Sequence, residues 1–213
     1  MPRYRRSFKV EPSLGTSGWL QVRDLDGDGE PEVLLLVDWS GLQCCWWSRI
    51  YRFDRSRGTY VAGTFWWGGS RSVPSVRDVD GDGRPEFVSS DDRFQQIATP
   101  YVGLLEPVRI WSYRRGRMHD VTRRHPRLVR SDARALWQLY LKNRGRADVR
   151  HVLTAWAADE YLLGRAIAVD RALARALRRG DLAPGFESLG YPRDPHGYIR
   201  EMKKFLRRLG YIA

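Results

Sequence analysis

Apolar and polar positions change rhythm once along the chain, near residue 125. Before that point the apolar residues fall in short runs bounded by Gly, Asp, Ser and Pro, the pattern of β-strands. "PEVLLLVD" is a continuous apolar run of the kind that suits a buried strand, and "PEFVSSD" is its counterpart farther on. A short extended segment precedes each, "GWLQVRD" or "SVPSVRD". After each come two extended runs joined at a polar, Gly-containing turn: "RIYRFDRSRGTYV" with Ile50, Phe53 and Gly58, and "RIWSYRRGRMHDV" with Ile110, Tyr113 and Gly116. The spacing therefore predicts two copies of a four-stranded antiparallel unit, offset by the 54 positions between Asp24 and Asp78. The second copy carries an insertion from about Gln95 to Glu106, with Pro100 and Gly103 as breakers.

Beyond Pro126 the apolar period becomes helical. "SDARALWQLYLKN" predicts a helix capped by Ser131 and ending toward Gly145. Val149, Val152, Leu153 and Trp156 mark a second helix, and Ala166, Val169, Leu173 and Leu177 mark a third that stops at Gly180. The last starts at Asp194-Pro195, an N-cap followed by proline at the first helical position, and carries a stripe of Ile199, Met202, Leu206 and Leu209. The expected fold is α+β: a β-repeat region over residues 1–124, then a helical region of about four helices over 125–213.

Composition narrows the reading. An apolar fraction of 42% with 9 Trp, 10 Tyr and 7 Phe supports a sizeable core. The net charge of +12 rests on arginine, since the lysines are Lys9, Lys142, Lys203 and Lys204. Its runs ("RYRR", "RRGR", "TRRHPRLVR", "KKFLRRL") are spread along the chain, whereas a nucleic-acid site concentrates charge on one element among aromatics, so nucleic acid is not the expected partner. No apolar run has the roughly 20 residues that span a bilayer. The basic start "MPRYRRSFKV" is not followed by an apolar h-region, so no secretory signal is read there. Cys44 and Cys45 are adjacent, hence on opposite faces of a strand, and are expected to be buried thiols.

The chemistry concentrates in the two loops "RDLDGDGEPEV" and "RDVDGDGRPEF". Asp24, Asp26, Asp28 and Glu32, and again Asp78, Asp80, Asp82 and Glu86, alternate so that all four carboxylates of a loop can turn toward one point. Gly29 and Gly83 permit the sharp turn, and Glu30 and Arg84 can add a backbone carbonyl. An irregular all-oxygen cage suits Ca²⁺, which takes about 6 to 8 oxygens, better than Mg²⁺, which demands an octahedron. The alternative is a pair of Asp- and Gly-rich turns without metal. Leu35 and Ser89 stand where an EF-hand would place its bidentate Glu, so the loops are not EF-hands.

With the order Asp-x-Asp-x-Asp-Gly-x-x-Glu, the loops resemble the calcium loop of the FG-GAP or VCBS repeat, the β-propeller blade of integrin α-subunit heads. The resemblance covers about residues 15–122 and departs from the family in ending on Glu where Asp is more usual. It implies propeller-like blades, two structural Ca²⁺ ions and an extracellular or cell-surface setting. Propellers close with about 4 to 8 blades. Two blades leave an apolar flank that the helices or self-association must cover.

The expected function is therefore a non-enzymatic, calcium-binding interaction module with a protein partner. One alternative is a lectin-like carbohydrate binder using exposed rings among Trp39, Trp46, Trp47, Trp66 and Trp67, although each adjacent pair should place one ring in a core. Another is a hydrolase with a site between the halves, for which His119, Asp120 and Asp159 are the candidates. His119, His125, His151 and His196 share no metal-ligand spacing, and no catalytic role is assigned to them.

Overall fold

Two four-stranded antiparallel sheets and four helices follow one another in the computed structural model, which describes residues 17–41, 44–69, 73–97, 105–183 and 194–212. The first sheet has the order β1 (Ser17–Arg23), β2 (Glu32–Gly41), β3 (Cys44–Asp54), β4 (Thr59–Gly69). The second repeats it with β5 (Ser75–Arg77), β6 (Glu86–Ser90), β7 (Val108–Arg114) and β8 (Arg117–Asp120). Register repeats as well: Arg23 pairs with Glu32 and Arg77 with Glu86, so both acidic loops are closed by equivalent rungs. The β7–β8 turn is two residues, Arg115 at φ 50° and Gly116 at φ 82°, both left-handed as a primed hairpin turn requires. The described strands do not close into a ring.

Between the sheets lies a core of Leu25, Leu34, Leu36, Ile50, Trp67, Phe87 and Tyr113. Trp67 stacks on Phe87 at 5.4 Å and donates its indole N–H to Ser48 Oγ at 3.0 Å, so its one polar atom is satisfied inside. The expected split of a Trp pair holds at Trp66-Trp67: Trp67 is buried and Trp66 is 54% exposed. Trp46 and Trp47 are both half-buried. The side chains of Trp39, Cys44 and Cys45, and the positions Lys9, Pro100 and Gly103, lie outside the described residues.

The helices are α1 (Pro126–Asn143), α2 (Arg150–Leu162), α3 (Ala166–Arg178) and α4 (Pro195–Arg208). Ser131 is not the first N-cap as expected, for it lies inside α1. The cap position is His125, with Pro126 at the first helical position, where proline has no N–H to waste and its φ is already helical. α2 is buried on nearly every face from Val152 to Glu160, and α3 and α4 bring Val169, Leu173, Tyr198, Met202, Phe205 and Leu206 against it. Asp194 caps α4 by accepting the Gly197 N–H at 2.8 Å.

The halves are joined through the segment that follows β6. Phe94, in a 3₁₀ turn at Asp92–Ile97, enters the helical core and meets Phe205 and Tyr211 edge-on at 5.2 and 5.7 Å. Beside it the buried Asp91 accepts hydrogen bonds from Arg93 and from the Tyr211 hydroxyl at 2.8 Å, and faces Arg109 at 3.5 Å. Burial alone would raise its pKa, but these partners hold it below the ordinary carboxylate range. The Val108 N–H donates to Asp132 Oδ2 of α1 at 2.9 Å. The helical half thus meets the second sheet at β7 and at the 3₁₀ turn after β6. On β1, an edge strand of the first, Trp19, Leu20 and Val22 remain 49%, 55% and 62% exposed.

Candidate metal centre

The two acidic loops repeat the same framework of hydrogen bonds. Asp24 Oδ1 and Oδ2 accept the N–H groups of Gly27 and Gly29 at 2.7 and 2.9 Å; Asp78 accepts those of Gly81 and Gly83 at the same distances. Asp28 Oδ1 accepts the Glu30 N–H at 2.9 Å, and Asp82 Oδ1 the Arg84 N–H at 2.8 Å. Glu32 Oε2 reaches back to the Leu25 N–H at 2.8 Å, as Glu86 Oε2 does to Val79 at 3.1 Å. Two glycines per loop are left-handed, not only the expected Gly29 and Gly83: Gly27 and Gly81 have φ of 75° and 83°. The Arg84 side chain of the other loop lies over Gly27, so a Cβ there would displace it.

Charge in the loops is unevenly tolerated. The backbone N–H groups of Gly83 and Gly81 hold Asp78 below its ordinary range. At Asp24 burial works in the opposite direction, but the N–H groups of Gly29, Gly27, Asp28 and Asp26 together outweigh it and lower that carboxyl too. Glu32, 1% exposed, is pushed up to about 7 by burial and by the charges of Asp26, Asp28 and Asp24, against the Leu25 hydrogen bond. Burial raises Glu86 likewise. Oxygens of Asp24, Asp26 and Glu32 lie within 4.8 Å of one another, and so do those of Asp78, Asp80 and Asp82. Asp28 stands outside the first group. Asp26 is the telling member, because its Oδ1 is buried without a hydrogen-bond partner while Oδ2 accepts the Arg115 N–H at 3.1 Å.

A third group was not legible in the sequence. His125, 8% exposed, places an imidazole nitrogen within 4.8 Å of oxygens of Asp80 and Glu86. No spacing rule could find it, since its partners come from a loop far upstream.

Residues 24–89, which enclose both loops, match the family model of the FG-GAP-like repeat. This segment is an FG-GAP-like repeat. Over 104 residues the chain is 28% identical to a probable thylakoid lumen protein of Synechocystis sp., a match covering 48% of this chain and 30% of that protein. Over 73 residues it is 33% identical to an uncharacterized protein of Sinorhizobium fredii, covering 34% and 11%. The chain thus spans less than a third of the curated relatives it matches. No solved structure matches it.

Outside the FG-GAP-like segment, the hydrolase candidates are not brought together. His119 and Asp120 are neighbours on β8, where Asp120 is held by Arg109 Nε at 3.1 Å and by Thr122. Asp159 is fully buried in α2 beside Asp132, and burial with the Asp132 charge pushes its carboxyl well above the ordinary range. Folding does gather arginines that the sequence spreads out: Arg130, Arg134, Arg165, Arg171 and Arg175 line one groove beside Trp137 and Trp156.

Proposed function

We propose that the chain is a calcium-stabilised, non-enzymatic β-repeat module that binds a protein partner. Each loop holds one Ca²⁺, through Asp24, Asp26, Asp28 and Glu32 with the Glu30 carbonyl, and through Asp78, Asp80, Asp82 and Glu86 with the Arg84 carbonyl. The observation that carries this reading is the buried Asp26 Oδ1, which lacks a partner in a group of three carboxylates. A buried carboxylate oxygen without a donor is costly, and a hard cation supplies what is missing. The ion's role is structural: it neutralises the loop and fixes the turn between two strands.

The partner surface is the β1 edge, where Trp19, Leu20 and Val22 are exposed on a strand whose outer side has no partner among the described residues. Such an edge is a template for pairing with another chain. The location we assign is lumenal or extracytoplasmic, supported by the similarity to the probable thylakoid lumen protein of Synechocystis. No helix among the described residues is long and apolar enough to cross a membrane. Calorimetric titration with Ca²⁺ tests the reading: two equivalents should bind, and EDTA should lower the melting temperature. Absence of both effects would overturn it.

A further inference from the structure

We propose that the second loop is a mixed nitrogen–oxygen site for a divalent transition metal, Zn²⁺ or its Co²⁺ surrogate, with His125 as a ligand alongside Asp80 and Glu86. This rests on the reading of that loop as a cation site and adds a second metal, which competes there with Ca²⁺ for Asp80 and Glu86. The loops match internally but differ in what reaches them from outside. Asp26 meets a backbone N–H, that of Arg115. At the equivalent Asp80 the neighbour is the imidazole of His125, with Nδ1 4.0 Å from Oδ2, too long for a hydrogen bond.

His125 is more than nine-tenths buried, yet its ring does not cap α1 and makes no hydrogen bond with a described residue. Its backbone is pinned on both sides. The N–H donates to Thr122 O at 3.1 Å, and the carbonyl accepts from Leu128 and Val129 at 3.0 and 3.2 Å. Pro126 fixes the chain direction immediately after it. The ring is therefore held in place facing Asp80 and Glu86, the described carboxylates within its reach. Donors bound to one cation at about 2.0–2.4 Å stand at most about 4–4.8 Å apart, and the three donors here lie within 4.8 Å. Only small side-chain movements close the site.

Imidazole favours Zn²⁺, Co²⁺ or Ni²⁺, whereas Ca²⁺ prefers oxygen throughout. Adding His125 thus gives the second loop an affinity for Zn²⁺ that the first loop lacks, despite their near-identical sequences. It also makes the metal a crosslink, since Asp80 and Glu86 belong to the second sheet and its loop while His125 opens the helical half. Binding there stabilises the junction as well as the loop.

The experiment titrates the full chain with Zn²⁺ alone, Co²⁺ alone and Ca²⁺ alone, following histidine ring signals by NMR. At one equivalent of Zn²⁺ the His125 ring signals should shift, in the native chain and in Asp26→Ala but not in Asp80→Ala. His125→Ala should weaken that Zn²⁺ site at least about tenfold and leave Ca²⁺ binding at the first loop unchanged. If His125→Ala does not fold, the ring shift in the native chain decides. Unmoved His125 signals at saturating Zn²⁺, or shifts confined to His119, His151 or His196, overturn the proposal while a normal Ca²⁺ titration leaves the calcium reading standing. Loss of Ca²⁺ binding at both loops with the His125 shift retained would overturn the calcium reading alone.

Discussion

The Arg115 N–H donates to Asp26 Oδ2 at 3.1 Å, tying the acidic loop of the first sheet to the last hairpin of the second. Asp80, the repeat equivalent of Asp26, reaches forward in the same sense. Past the second sheet, however, the chain enters α1, and the neighbour Asp80 finds is His125. The two loops therefore meet different elements, the β7–β8 hairpin at Asp26 and the start of the helical half at Asp80. Asp26→Ala should remove one Ca²⁺ equivalent and this bond together. In EDTA the lost hydrogen bond, worth about 0.5–1.5 kcal/mol, is offset by removal of the unpartnered Oδ1, so the cost should be no more than that. In saturating Ca²⁺ the cost should be larger. Urea unfolding under the two conditions measures both, and equal costs would remove calcium from the loop.

Glu32 makes the metal-free fold pH-sensitive. Folding raises its pKa from 4.5 to about 7, so the folded chain holds this proton more tightly than the unfolded chain does. The associated stability is fully present below pH 4.5 and is lost as pH rises through about 7, on the order of 3 kcal/mol in all. In EDTA the unfolding midpoint should fall between about pH 5 and about pH 8, and Glu32→Gln should lose that part of the slope. Ca²⁺ competes with the same proton, so its stabilisation should be larger at the alkaline end of that window than at the acid end. An unchanged slope in Glu32→Gln would show that the loop carboxylate is not the group responsible.

Much of the β-half was legible because the repeat writes its rules locally. The loop acids, the turn glycines and the short apolar runs lie within one unit, and the register Arg23–Glu32 and Arg77–Glu86 follows from them. Pairings between distant segments carry no such local signature. In the sequence His125 is one more residue of a basic run, and Pro126 reads as a boundary when it is the first residue of a helix. Phe94 reads as the edge of an insertion, yet it belongs to the helical core. Gly27 and Gly81 read as spacers because the glycine after the third acid accounts for the turn by itself, although both are left-handed.

Asp159 offers a second titration, in the helical core. Its carboxyl is fully buried next to Asp132, so its pKa lies well above the unfolded value and the folded chain holds this proton more tightly than the unfolded chain does. Stability from this group is present below about pH 4 and declines as pH rises through the folded pKa. Asp159→Asn, which carries no charge at any pH, should gain on the native chain as pH increases, by up to about 1.4 kcal/mol per pH unit. Parallel stability–pH curves for the two proteins would refute the neutral-acid reading.

Phe94 should connect the stability of the two halves. Its ring meets Phe205 and Tyr211 from the far side of the sheet–helix boundary, so Phe94→Ala should cost about 3–5 kcal/mol. The loss should appear in one cooperative transition followed by Trp fluorescence and by helical circular dichroism. Separate transitions, with the sheets unaffected, would mean that the junction carries little of the fold's cooperativity.

The final helix tests whether a basic surface segment is part of the core. Met202 and Leu206 are fully buried and Ile199 and Leu209 partly so, as the stripe predicts, and Tyr198 and Phe205 widen the buried face. Arg207 and Arg208 stay exposed. An isolated helix of this length is marginal in water, so its order depends on that face. Leu206→Ala should cost about 2–5 kcal/mol, whereas Arg207→Ala should change stability by no more than about 0.5 kcal/mol. Amide exchange over residues 199–209 should be as slow as in α2, because Tyr198 locks the helix by donating its hydroxyl to Arg150 O at 2.8 Å. Fast exchange there, with α2 still protected, would mean that α4 detaches on its own and that its arginine face is free to act apart from the bundle.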